Sequence, residues 1–328
     1  MAPLRLERRS KAERGYRLAA HEAGPAQAVH AEAVDLDAGL TAEDVLRRAG
    51  RACLDHLLRN EFAARAGDIE GIHQMRVAVR RLRAILSAFA PLLPKDQRRW
   101  ASGELRWFGD ALGDARNLDV FATTLLPAGR TALRAAKEFE PLARAAERRR
   151  RGARAEVVKA ISSTRYTGTL LALLRWFDGT EWRTGRGEAL GQPIAAAAPA
   201  LLDRCRKRAV RRAKDFARQS AKKRHRLRIA LKQLRYTAEL LGGLHDAAET
   251  RRFIQRLKRL QDDLGDANDL RVAGDIVKTL AAPGRRSAGI AHAGNRLIAW
   301  RKRQLARNER DLRGHLDALL EAPRFWRA

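Results

Sequence analysis

The sequence predicts an all-α protein of two helical bundles related by internal duplication, with long antiparallel helices and a pseudo-twofold relation between the halves. Three observations predict it. The 328-residue chain is only 5% aromatic and is dominated by Ala, Leu, Arg and Glu, which are strong helix formers. Apolar residues recur at three- and four-residue steps almost throughout. Two motifs also repeat in step. HQMRVAVRRLRAIL from His73 and HRLRIALKQLRYTAEL from His225 lie 152 positions apart, and so do DALGDARNLDV from Asp110 and DDLGDANDLRV from Asp262. Equal spacing inside each copy points to duplication of one helical unit.

In chain order, a Thr41/Asp44 capping box opens a helix over 41–65. A second, over 70–90, is stopped by Pro91 and Pro94. Helical spacing continues over 96–126, 130–160 and 164–177. The stretch Asp178–Pro193 is rich in Gly and polar residues and reads as a linker. Helices follow over 195–219, 222–242 (stopped by Gly242-Gly243), 248–281 (stopped by Ala282-Pro283-Gly284) and 286–320. Each half ends in Trp-Arg, at Trp182-Arg183 and Trp326-Arg327. The organisation expected is an N-terminal extension over 1–38, a first repeat over 39–183, a linker over 184–193 and a second repeat over 194–328.

Lys and Arg number 67 against 38 Asp and Glu, a formal net charge of +29. A polyanion is the default partner of such a chain, although an Ala- and Arg-rich proteome would also inflate the count. With 45% hydrophobic residues, a disordered basic tail is excluded. Cys53 and Cys205 belong to no CxxC pair, which excludes a zinc finger or a disulfide scaffold. The N-terminus is charged throughout, and no apolar run approaches the ~20 residues that span a bilayer. The expectation is a cytoplasmic protein with reduced cysteines and no membrane insertion.

The charge is patterned. On a wheel of ~100° per residue, His73, Arg76, Arg80 and Arg83 share an arc about 80° wide. Ala78, Val79, Leu82, Ile85, Leu86 and Phe89 gather opposite. His225, Arg228, Lys232 and Arg235 repeat the stripe, against Leu227, Leu231, Leu234, Ala238 and Leu241. A solvated face normally mixes acids with bases, yet no acid falls within Met75–Leu93 or between Phe216 and Thr237. Two such stripes predict an anion to neutralise them. Basic residues also crowd the stretch from Arg204 to Arg235, where Asp215 is the lone acid, and a smaller cluster holds Arg144, Arg148, Arg149, Arg150, Arg151 and Arg154.

The histidines read as structural residues or as donors to an anionic oxygen. One turn further along either motif there is no second metal ligand, and no spacing identifies a partner carboxylate for catalysis. A binding protein without metal, cofactor or enzymatic activity is therefore expected. In the LGDA motifs, Gly113 and Gly265 suit close helix packing. Asp110, Asp114, Asp119, Asp262, Asp266 and Asp269 are expected to pair with Arg on a neighbouring helix, the alternative being a divalent ion.

The pattern HxxRVxxRRLR followed by LGDARNLDV, then HRLRIxxKxLRY followed by LGDAND, resembles the CHAD family, the conserved histidine α-helical domain, from about Gly39 to Trp326. The resemblance implies two pseudo-symmetric helical bundles and a positively charged surface or channel that binds inorganic polyphosphate, with targeting to polyphosphate granules as a role. His73, Arg76, Arg80 and Arg83, with His225, Arg228, Lys232 and Arg235, match the family's basic and histidine signature. Arg81 and Arg224 flank them and complete the candidate binding set. Lys232 and Gln233 stand where the first copy has Arg80 and Arg81, and Arg271 stands where it has Asp119. Ser10–Leu18 resembles the connector that follows a CYTH (triphosphate tunnel) domain in fused members, and the residues before the first repeat are too few for that β-barrel. Nucleic-acid backbone is the competing polyanion, and a His-dependent phosphohydrolase the enzymatic alternative.

Overall fold

Thr41 and Asp44 close the capping box reciprocally. Thr41 Oγ1 accepts from the Asp44 amide at 3.1 Å, and the Asp44 carboxylate accepts from the Thr41 amide at 3.0 Å. They open α1 (Ala42–Arg59) in a computed structural model that describes residues 27–183, 187–282, 287–306 and 309–327. The connector-like segment Ser10–Leu18 lies outside the described residues. The helix expected over 41–65 breaks at Asn60, so Glu61–Arg65 is a separate short helix, α2. The break has a cause in the Asn60 side chain, which donates to the carbonyls of His56 and Val29 and accepts from the Val29 amide. Asn60 thereby ties the segment 27–36 across α1.

Then follow α3 (Ile69–Ala88), capped by Asp68, and α4 (Lys95–Val120). A π-helical turn, Phe121–Leu125, leads into α5 (Leu126–Ala132). The helix expected over 130–160 starts only at Glu140, because Arg134 adopts a left-handed φ of 48°. It is α6 (Glu140–Ile161), followed by α7 (Thr164–Asp178), capped by Ser163. The expected linker is partly ordered, with a 3₁₀ turn Glu181–Arg183 and a short α8 (Gly187–Gly191). The second half holds α9 (Ile194–Ala213), α10 (Ala221–Leu241), α11 (Ala247–Leu280), α12 (Ser287–Ala306) and α13 (Glu309–Leu320). The spans expected over 195–219 and 286–320 therefore each divide. Gln219 caps α9 by donating to the Arg212 and Lys214 carbonyls. No strand occurs among the described residues, where Thr41 and Pro193 form one isolated antiparallel bridge.

The duplication is structural. Helices α9, α10 and α11 reproduce α1, α3 and α4 at the 152-residue offset. In each half the basic helix, α3 or α10, packs on the first helix and on the LGDA helix of its own half, and α3 and α10 pack on each other. The Arg149–Asp114 ion pair joins α6 to α4 at 2.8 Å, and Arg301–Asp266 joins α12 to α11 at 2.8 Å, again 152 positions on. The Trp-Arg ends also correspond: Arg183 reaches Glu43 of α1, and Arg327 reaches Asp203 of α9.

One apolar cluster runs through both halves, including Leu46, Met75, Leu82, Leu231, Leu257 and Leu264. A second joins Phe121, Phe139 and Leu142 to Val277 and Leu297. Fully burying one such side chain contributes about 1.5–3 kcal/mol. Along α11 the first cluster ends at Leu264 and the second begins at Ala273, and the polar run Asp266–Arg271 lies between them.

Candidate functional site

The apolar stripes of α3 and α10 are buried as their periodicity requires. Because these two helices pack together, their basic stripes converge. Arg76 lies among Arg80, Arg228 and Arg116, and Lys232 among Arg80, Arg228, Arg76 and Arg235. All are half-buried. The Nε atoms of Arg80 and Arg228 are buried without a hydrogen-bond partner. The nearest opposing charges are Asp269, which faces Arg228 and Arg76, and Asp262, which faces Arg228. Burial and mutual repulsion push Arg76 down to about 10 and Lys232 down to about 6.

Arginine is seated here by glycine. A methyl group at Gly113 would collide with the Arg76 guanidinium, and a Cβ at Gly265 would lie 3.6 Å from Arg228 Nη2. The glycines of the LGDA motifs thus make room for the arginines of the HxxR motifs, and not merely for a neighbouring helix. The carboxylates of the motif divide in role. Asp114 and Asp266 bind Arg149 and Arg301, and Asp119, fully buried, binds Arg154 at 2.7 Å and Arg150 at 3.3 Å. Among the described residues no group of three or more His, Cys, Asp or Glu is placed to hold a metal ion.

The two histidines differ. His225 Nδ1 lies 2.9 Å from Asn268 Oδ1, so its Nδ1–H donates and Nε2 keeps a lone pair. His73 Nδ1 is buried without a partner. Its pKa is pushed down to about 4, by burial first and then by Arg116. The His225 pKa is lowered by burial and by Arg271, Arg228 and Lys232, while Asn268 acts the other way. Arg116 and Asn268 occupy equivalent positions in the two LGDA motifs. Both escaped the sequence reading. The available signal was their place one turn past the motif glycine. Glu70, one turn before His73, is engaged by Gln74, which donates to it at 2.6 Å.

Arg81, Arg83 and Arg224 stand apart from this cluster, and Arg235, beside Lys232, is partly engaged elsewhere. Arg81 reaches the Glu32 carbonyl at 3.4 Å on the segment 27–36. Arg83 is exposed, near Arg106 and Asp110. Arg224 stacks over Phe216 and Arg235 over Tyr236, each at 4.7 Å, and Arg235 also pairs with Glu239 at 3.5 Å. Much of the basic crowding on α9 is structural. Arg204 donates to the Ser87 carbonyl, Arg206 to the Leu320 carbonyl and Arg212 to the Arg226 carbonyl, while Arg208 donates to Ser87 Oγ and Gln233.

Comparison with known proteins fits this geometry. The model of the CHAD domain matches residues 48–278. The crystal structure of the CHAD domain from the plant Ricinus communis superposes with a TM-score of 0.77 and 30% identity, covering 91% of this chain and 98% of that one. PptA from Streptomyces chartreusis shares the fold, with a TM-score of 0.61 and 18% identity over 85% of this chain and all of that one. The uncharacterized protein Rv2226 of Mycobacterium tuberculosis is 29% identical over 231 residues, which are 69% of this chain and 43% of that protein. The chain thus spans less than half the length of this curated relative. The matched region contains both HxxR helices and both LGDA motifs, and on that ground this chain belongs to the CHAD-domain family.

Proposed function

We propose that the chain is a non-enzymatic module that binds inorganic polyphosphate on the face where α3 and α10 meet, and that such binding targets it to polyphosphate granules. One observation carries the reading. Arg76, Arg80, Arg228 and Lys232, from two duplicated helices, are held together half-buried and outnumber the carboxylates facing them. Like charges kept out of water are costly until an anion neutralises them. Guanidinium groups on rigid helices suit successive phosphates, because each offers a bidentate fork. Base stacking is disfavoured: Phe216 and Tyr236 are buried, and each is covered by an arginine. Single-stranded nucleic-acid sites normally present such rings to bases.

Competition between long-chain polyphosphate, duplex DNA and single-stranded RNA at ~150 mM salt tests the reading, since electrostatic binding weakens as salt rises. Polyphosphate is expected to bind tightest. Equal or tighter nucleic-acid binding would overturn the choice of ligand. Metal-dependent phosphate release that is lost in His225→Ala would replace the binding module with an enzyme.

A further inference from the structure

Lys232 stands where the first copy carries Arg80. The exchange puts an amine, which can lose its proton at accessible pH, where the duplicate has a permanently charged guanidinium. Its immediate surroundings on α3 and α10 are cationic. Helix α3 presents Arg76 and Arg80, and α10 itself presents Arg228 and Arg235. From α11, Asp262 and Asp269 face the arginines, and Arg271 lies by His225. From α9, Arg208 is turned to Ser87 and Gln233. No carboxylate figures among the charges acting on Lys232, and it is half-buried.

We propose that Lys232 couples anion binding at this site to the uptake of one proton. The idea rests on the polyphosphate reading above and adds its regulation. In the free protein burial, and after it four guanidinium groups, push the side chain down to about 6, which favours the neutral amine at neutral pH. A polyanion laid among those guanidiniums reverses the local field and favours the ammonium form. The amine then takes one proton from solvent, and a fifth cation meets the ligand. The sign follows from linkage. Below pH 6 Lys232 is charged in both states and affinity is independent of this proton. Above pH 6 each unit of pH weakens binding, until the amine stays neutral in the complex as well. The histidines, whose pKa values are lowered, are silent in the free protein above neutrality. A proton that the bound anion draws onto a histidine would appear in Lys232→Arg as well, so the difference in slope between the two proteins over pH 7 to 9 isolates the lysine.

The experiment measures the Kd of long-chain polyphosphate, in which titrating chain ends are few, across that window for the wild type and Lys232→Arg. The ligand-free protein, labelled at lysine with carbon-13, is titrated by NMR alongside. Wild-type Kd is expected to rise by up to about tenfold per pH unit. Lys232→Arg is expected to bind with no such slope, because its guanidinium never discharges. The Lys232 resonance is expected to titrate near pH 6 without ligand and well above pH 8 with it. Binding without a slope, a slope that Lys232→Arg leaves unchanged, or a free-protein titration near the ordinary lysine value would each overturn the coupling alone. Absence of binding at every pH would overturn the polyphosphate reading, and the coupling with it.

Discussion

Gly113 and Gly265 occupy the same place in the two LGDA motifs but leave unequal room. A methyl group at Gly113 meets the Arg76 guanidinium head-on, whereas at Gly265 the nearest arginine nitrogen is 3.6 Å away. Gly113→Ala is expected to weaken polyphosphate binding by displacing the Arg76 guanidinium, with little net change in stability, because the group displaced is the end of a flexible side chain and alanine favours the helix. Gly265→Ala is expected to be neutral, or to gain up to about 1 kcal/mol of helix propensity. Chemical denaturation together with binding separates the two. Lys232→Met trades binding for stability. Removing a repelled amine is expected to raise Tm in the free protein while weakening anion binding, as thermal melts and titrations would show. At this scale the stripes were legible because helical spacing alone puts Arg76 beside Arg80 and Arg228 beside Lys232. Arg116 and Asn268 were not, since they reach the histidines from another helix. Arg235 was read as a binding residue, and its ion pair with Glu239 was not foreseen because that acid lies just past the acid-free window.

Among the elements, α3 and α10 carry the proposed function by facing each other. Arg76→Glu combined with Arg228→Glu is expected to abolish binding while leaving helical circular dichroism nearly unchanged, because neither side chain belongs to an ion pair that holds its helix. Asp119→Ala should do the reverse. Its carboxylate is fully buried between Arg150 and Arg154, so its loss is expected to cost about 3 kcal/mol, read from denaturant midpoints, with little direct effect on the ligand. Helix identity was well marked in the sequence by caps and apolar periodicity. Helix ends were not. Asn60 breaks a helix through a bond to a segment some thirty residues earlier in the chain, and Arg134 delays α6 by a backbone conformation that its residue type does not announce.

For the molecule as a whole, the charge of +29 is not a count of ligand contacts. Many arginines are spent on carbonyl oxygens and on carboxylates, and the sequence could not say which, because those bonds join distant helices. What remains unneutralised between α3 and α10 strains the free fold. Polyphosphate is therefore expected to stabilise the protein, by about 2.7 kcal/mol at a hundredfold excess over Kd. Differential scanning fluorimetry should show a rise in Tm that shrinks as salt is added.

The packing of α3 on α10 also speaks to ancestry. In this chain α3 packs on its own duplicate, α10, which is the geometry of an isologous dimer contact. Before fusion, any substitution on that face would have appeared on both sides at once. Two copies joined in one chain are free to vary singly, and they differ at Arg80/Lys232 and Arg116/Asn268 among other pairs.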